Sequence, residues 1–193
     1  MKNRVIILFT VLFSLPCALH AQWGVKVGTG LSSMDGSENS MVSAQVGGTY
    51  DLRLSRRWFL EPELQLVYFG YSSKDNGFSV KSGKVRFFAL ELPVNLSLRP
   101  KISETMNLLV GGGLYFRYSL AGNEKYKYYD ASLDTDKSPF DDFNRFDMGT
   151  QFQVGLQVKR FYGIFSFQHG LSHAYRDGSF HYRNIRLSAG YRF

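Results

Sequence analysis

The chain has 193 residues, 44% of them hydrophobic, 16% aromatic and 20% charged, with a formal net charge of +7 and a single Cys. That composition excludes a disordered chain, a collagen-like repeat and a disulfide-stapled scaffold. The length suits one domain, and 12 Tyr with 17 Phe exceed what a small core needs, which points to an all-β or interfacial protein.

Lys2 and Arg4 precede an apolar run from Val5 to Leu15, and Leu19-His20-Ala21 offers a small-residue cleavage site before Gln22. This is the pattern of a secretory signal peptide over residues 1–21, leaving a domain at 22–193. The run falls short of the roughly 18 residues that a helical span requires and is interrupted by Pro16, which also fills the place a small residue takes before a lipid-bearing Cys17. The mature chain is then free of thiols, so a cysteine nucleophile, a disulfide and a thiolate metal site are not expected. Losing Lys2 and Arg4 lowers the formal charge from +7 to +5. No basic run is longer than Arg56-Arg57, so nucleic acid is not an expected partner; an exported chain meets anionic lipid headgroups and lipopolysaccharide instead.

Beyond residue 21 the dominant period is two. Trp23, Val25, Val27 and Leu31 alternate with Gly24, Lys26, Gly28 and Gly30, and Val42 to Leu54 alternates with Ser43, Gln45, Thr49, Asp51 and Arg53. Leu60 to Tyr68 opposes Glu61, Glu63 and Gln65, and Phe88 to Leu98 opposes Glu91, Asn95 and Ser97. Leu108 to Tyr118 opposes Gly111, Gly113, Arg117 and Ser119, and Phe146 to Lys159 sets Met148, Phe152, Val154, Leu156 and Val158 against Asp147, Gln151, Gln153 and Gln157. Gly163–Leu171 alternates more weakly through Phe165 and Phe167, and Ile185, Leu187, Ala189, Tyr191 and Phe193 oppose Arg186, Ser188, Gly190 and Arg192. A strand puts the two sets on opposite faces, whereas a helix scatters both. About eight strands follow, with long polar gaps near 33–41, 70–84, 120–145 and 172–182 and short ones near 55–58, 99–104 and 159–162. The expectation is an all-β, eight-stranded antiparallel up-and-down barrel with both termini on the side of the short turns.

A lipocalin-like barrel would bury the apolar face, and a membrane barrel would turn it outward. Here the polar face is rich in Gly and amides, and the apolar face carries aromatics such as Trp23, Tyr50, Trp58, Tyr68, Tyr118, Tyr191 and Phe193, as interfacial girdles do. A membrane barrel is therefore expected. Its interior is filled by side chains, and Lys26, Arg53, Glu61, Glu63, Glu91, Arg117, Asp147, Lys159, Arg186 and Arg192 project inward. Charges so placed must pair, giving a salt-bridged plug or, alternatively, the lining of an ion path.

Met41–Leu54, Leu60-Glu61-Pro62-Glu63-Leu64, Phe88-Ala89-Leu90-Glu91-Leu92-Pro93-Val94, Gly111-Gly112-Gly113, Asp147-Met148-Gly149 and the closing Ala189-Gly190-Tyr191-Arg192-Phe193 together resemble the small outer-membrane β-barrel "porin family". The resemblance spans the mature chain and implies a multi-pass barrel in the outer membrane of a Gram-negative-type cell, inserted by the barrel assembly machinery. It implies no particular activity. The last strand is similar to the recognition signal of that machinery, with Arg186, Ser188, Tyr191 and Phe193 in its places, a reading preferred to Phe193 as merely a lipid-facing strand end.

Three segments invite chemistry. His169, Ser172 and His173, with Tyr175, Asp177 and His181 nearby, suggest a lipid A-modifying hydrolase, but Ser172 lies three residues from His169 and so on the other face of a strand. Asp130, Asp134, Asp136, Ser138, Asp141 and Asp142 superficially resemble a calcium loop, but Pro139 takes the place of the turn Gly and Arg145 that of the bidentate Glu. Tyr126, Tyr128 and Tyr129 interleave with Lys125 and Lys127, as a surface contact for sugar, peptide or lipopolysaccharide or as the upper end of a strand. The resulting expectation is a monomeric structural or interaction barrel without cofactor, metal or catalytic residue. A narrow porin is the alternative, and a lipid-modifying enzyme comes third.

Overall fold

The computed structural model describes residues 21–35, 39–74, 80–128, 135–141, 143–174 and 180–193. The segment up to residue 20, read above as a signal, lies outside the described residues, as do Tyr129, Asp130, Asp134, Asp142, Tyr175 and Asp177. Nine strands form: β1 (Ala21–Met34), β2 (Asn39–Arg53), β3 (Trp58–Lys74), β4 (Val80–Leu98), β5 (Met106–Tyr128), β6 (Thr135–Lys137), β7 (Phe146–Val158), β8 (Phe161–Gly170) and β9 (Tyr182–Arg192). Each strand except β6 pairs antiparallel with its neighbours in a meander, and β1 closes on β9, so eight strands make a complete barrel. The expected architecture is the observed one, and among the described residues no helix is long and apolar enough to cross a membrane.

The periodicity sets the faces. In β2, Val42 and Val46 point outward while Ser43, Gln45, Thr49 and Asp51 are buried; in β9, Ile185 and Leu187 point outward while Asn184, Arg186 and Ser188 are buried. Trp23 is 65% and Leu187 64% exposed, so the apolar face is the outside of the barrel, as a lipid-facing surface requires. Aromatics gather at the end where β1 begins and β9 ends: Trp23 meets Tyr50 at 4.5 Å between ring centroids, and Phe161, Tyr191 and Phe193 form a chain of contacts at 5.0 and 5.3 Å. Short connections mark this end as periplasmic.

Three features depart from the pattern in the sequence. The polar gaps near 70–84 and 120–145 are shorter than expected, because β3, β4 and β5 continue well past the apolar alternation and β6 adds a short rung to β5. Backbone hydrogen bonds carry a ladder onward without an apolar face to announce it. A bulge opposite Phe88 and Ala89 then resets β5, so that inward positions are odd up to Ser119 and even at Glu124. The β7–β8 connection is tighter than expected: Lys159 takes φ 55° in a turn with Arg160, and its side chain is exposed rather than inside the barrel.

Inward glycines let neighbouring strands approach. A Cβ on Gly30 would stand 1.9 Å from the Ile185 carbonyl oxygen of β9, and one on Gly113 would stand 2.0 Å from that of Val94 in β4.

Candidate functional site

The interior is the place where this sequence concentrates chemistry, and it is built in tiers. At the periplasmic tier Arg99 pairs with Asp51 at 2.7 Å and with Glu61, and Arg192 pairs with Asp51 at 2.6 Å. Glu61 also accepts hydrogen bonds from Ser97 and from Gln153 Nε2 at 2.8 Å. Each of the two guanidinium groups sits over an aromatic ring, Arg99 at 4.1 Å over Phe59 and Arg192 at 4.1 Å over Tyr162. Above them Lys26 pairs with Glu63, which also accepts from Gln65.

The middle tier centres on Glu91, which is completely buried. Glu91, Arg117 and Asp147 stand directly opposite one another on β4, β5 and β7, so strand register alone places them in contact. Arg117 donates from Nε to Glu91 Oε2 at 2.7 Å, from Nη1 to Asp147 Oδ2 at 3.0 Å and from Nη2 to Gln168 Oε1 at 2.9 Å. Arg186 reaches from β9 to donate from Nη1 to Glu91 Oε1 at 2.8 Å and to Gln45 Oε1 at 2.7 Å. Gln168 bridges onward, donating to Glu91 at 2.8 Å and to Gln151 at 2.7 Å. Within these two tiers the cations Lys26, Arg99, Arg117, Arg186 and Arg192 thus match the anions Asp51, Glu61, Glu63, Glu91 and Asp147 one for one, while Glu124, also buried, lies beyond them toward the outer end of β5. Balanced and hydrogen-bonded on several sides, they meet the condition under which buried charge is tolerated.

The outer tier is apolar. Val67, Phe69, Tyr71, Val85, Phe87, Ala89 and Tyr182 point inward and pack with Phe143, which follows the short helical turn Pro139–Asp141 and is fully buried. Phe87 lies 5.2 Å from Phe69 and 5.6 Å from Phe143, and Arg117 lies 4.3 Å below the Phe69 ring. Aromatic side chains therefore cover the ionic tiers on the outer side.

The structure buries Lys26, Glu61, Glu63, Glu91, Arg117, Asp147, Arg186 and Arg192 together inside the barrel. Arg53 is different: it shares their parity but ends β2, where its side chain is exposed and its Nε donates to the Ser55 carbonyl at 3.2 Å. Inward parity at the last rung of β2 leads to the mouth and not to the interior. Asp51 and Arg99 are buried partners that the sequence reading does not single out. Asp51 has the correct alternation, whereas Arg99 precedes Pro100 in an apparent turn, and its long side chain folds back inside. The apolar outer tier is likewise unexpected, although Val67 and Phe69 continue the inward parity of Glu63 and Gln65.

At the last strand, Phe193 is 62% exposed, and its backbone N–H donates to the Trp23 carbonyl at 2.8 Å across the β1–β9 seam. Tyr126 and Tyr128 belong to β5, opposite Gly83 and Val80, with the Tyr126 ring covering Gly83. His181 stands 5.5 Å from His173 and 5.9 Å from His169 between ring centroids. The Ser172 hydroxyl donates to Asp147 Oδ1 at 2.7 Å and accepts from the Met148 N–H at 2.9 Å, while His181 Nδ1 faces the Ser172 carbonyl and not its hydroxyl. Ser172 is thus placed as a tie between β7 and the following loop. Among the described residues no group of His, Asp or Glu is arranged to hold a metal ion.

A closed meander with an apolar exterior, aromatic rim and ionic interior defines an integral outer-membrane β-barrel. The chain belongs to the outer membrane protein beta-barrel domain family, whose profile matches residues 14–176. No curated protein sequence matches it. Among solved structures it is similar to a major outer membrane protein from Thermus thermophilus, with 10% identity, TM-score 0.53, and 90% of this chain and 99% of that one covered. Neisserial surface protein A is similar at 7% identity and TM-score 0.52, covering 90% and 99%. The outer membrane enzyme PagL is similar at 9% identity and TM-score 0.51, covering 86% and 98%. At such identities the likeness is one of fold.

Proposed function

We propose that this protein is a non-conducting structural and interaction barrel, monomeric in the outer membrane, with its outer hairpins available to surface partners. The observation that carries this reading is the stack at the barrel waist: Glu91 held by Arg117 and Arg186, covered by Phe69, Phe87 and Phe143. A channel needs water-lined polar groups free to exchange partners with a passing ion, and these groups are committed to one another. The reading is also non-enzymatic, because the Ser172 hydroxyl is engaged with Asp147 and the Met148 amide, and the imidazole beside it, His181, faces the Ser172 carbonyl instead.

The expected partners are lipopolysaccharide and phospholipid along the apolar exterior, the barrel assembly machinery at the Tyr191–Phe193 strand end, and an unidentified surface ligand at Tyr126 and its neighbours. A liposome-swelling assay tests the central point. Vesicles bearing the folded protein should swell in arabinose no faster than empty vesicles. Swelling that scales with protein content would replace this reading by a narrow pore.

A further inference from the structure

Below the periplasmic tier the barrel opens into a basin of about 610 Å³. Arg53, Arg56, Arg57, Arg99 and Lys101 line it, together with Phe59, and among the described residues no acidic one does. Asp51 and Glu61 lie close by, but their charge is already matched by Arg99 and Arg192. The charge that faces the basin is therefore that of Arg53, Arg56, Arg57 and Lys101. Among the described residues Arg56, Arg57 and Lys101 make no ion pair, and the Arg53 guanidinium spends only one donor, on the Ser55 carbonyl. Glu104, the acid of the following turn, is exposed and outside the lining.

We infer that this basin is a binding site for a phosphate ester bearing at least two negative charges. Cations gathered in a concave site raise a positive field there, and the guanidinium fork suits phosphate oxygens better than a point charge does. Arg99, placed over Phe59 and paired with Asp51 and Glu61, forms the floor, while Arg56, Arg57 and Lys101 are exposed residues of the lining. The volume falls within the range of about 300–1,000 Å³ usual for small-molecule sites and is far too small for a folded partner. Two sources supply this chemistry at the periplasmic face: the headgroup of an anionic phospholipid in the adjacent leaflet, and a soluble phosphate ester.

The test is titration calorimetry on the detergent-folded barrel with sodium pyrophosphate, and in parallel on the barrel in phosphatidylcholine nanodiscs with and without dioleoyl phosphatidic acid. Arg56→Gln/Arg57→Gln/Lys101→Gln should weaken binding about a hundredfold at low salt, since each such charge near an anionic surface contributes roughly a factor of five. Lys84→Gln/Arg86→Gln/Lys125→Gln, which removes the same charge from the opposite end, should leave binding unchanged. Binding of pyrophosphate supports the site and a soluble source, and binding of phosphatidic acid alone supports the site and a lipid source. Binding of neither probe, or equal weakening by the two triple variants, would overturn the inference. A gel shift on heating shows that each variant is folded.

Discussion

At the scale of single residues, the fate of each interior charge follows from how many partners the register gives it. Glu91 is approached by two guanidinium groups and a Gln amide, so Glu91→Gln leaves Arg117 and Arg186 facing a neutral group in a buried site. Breaking such a pair from one side costs about 3–5 kcal/mol, and the urea midpoint of the folded barrel should fall accordingly. An unshifted midpoint would mean that water or a neighbouring acid takes over the charge. Glycine offers a second contrast. Gly30→Ala forces a Cβ against the Ile185 carbonyl and should lower folded yield on the heat-shift gel, whereas Gly48→Ala, whose nearest atom would be 4.0 Å away, should match the parent. Equal yields would show that the β1–β9 seam is loose enough to absorb the methyl group.

Much of this interior is legible in the amino-acid sequence. Inward parity picks out Glu61, Glu63, Glu91, Arg117 and Arg186, because side chains of a strand alternate strictly and polarity marks the inner face. It does not pick out Arg99, since a residue before proline at a strand end reads as a turn and only its side-chain path brings it inside. Nor does it separate Phe69 and Phe87 from the lipid-facing aromatics, because an apolar residue at an inward position looks like a break in the pattern. Arg53 shows the converse, with correct parity but no barrel left to enclose it.

At the scale of elements, the barrel closes on its last strand. β9 pairs with both β8 and β1, and the seam continues to the terminus through the Phe193 amide on Trp23 and the Gln22 side chain on the Phe193 carbonyl at 2.9 Å. Deleting Phe193 removes those bonds and an aromatic from the rim, so outer-membrane yield in a fractionated cell should fall several-fold relative to the full chain. Unchanged insertion would assign Phe193 to lipid contact alone. The eight barrel strands are legible as elements because each carries enough alternation to stand out. The extended upper halves of β3, β4 and β5, the added β6 and the bulge near Leu120 are not, for they are written in backbone hydrogen bonds between distant segments and in no local pattern.

At the scale of the whole molecule, three conditions are met at once: an apolar exterior to dissolve in lipid, a closed ladder that leaves no barrel edge unpaired, and ionic tiers in which opposite charges cancel. Beneath the ionic tiers lies a basic basin, and above them an aromatic cover, so the two faces of the membrane see different ends of the same barrel. This asymmetry is the physical content of the proposed role, a sealed scaffold that offers distinct surfaces to its two sides.

Single-channel recording tests that claim most directly. The folded Gln22–Phe193 barrel, verified by its heat-dependent gel shift and inserted into a planar bilayer in 1 M potassium chloride, a concentration at which the Debye length is about 3 Å, should give a flat baseline under applied voltage. Discrete, reproducible current steps from the same preparation would show that the stack around Glu91 opens to ions, and would contradict the account of a sealed barrel.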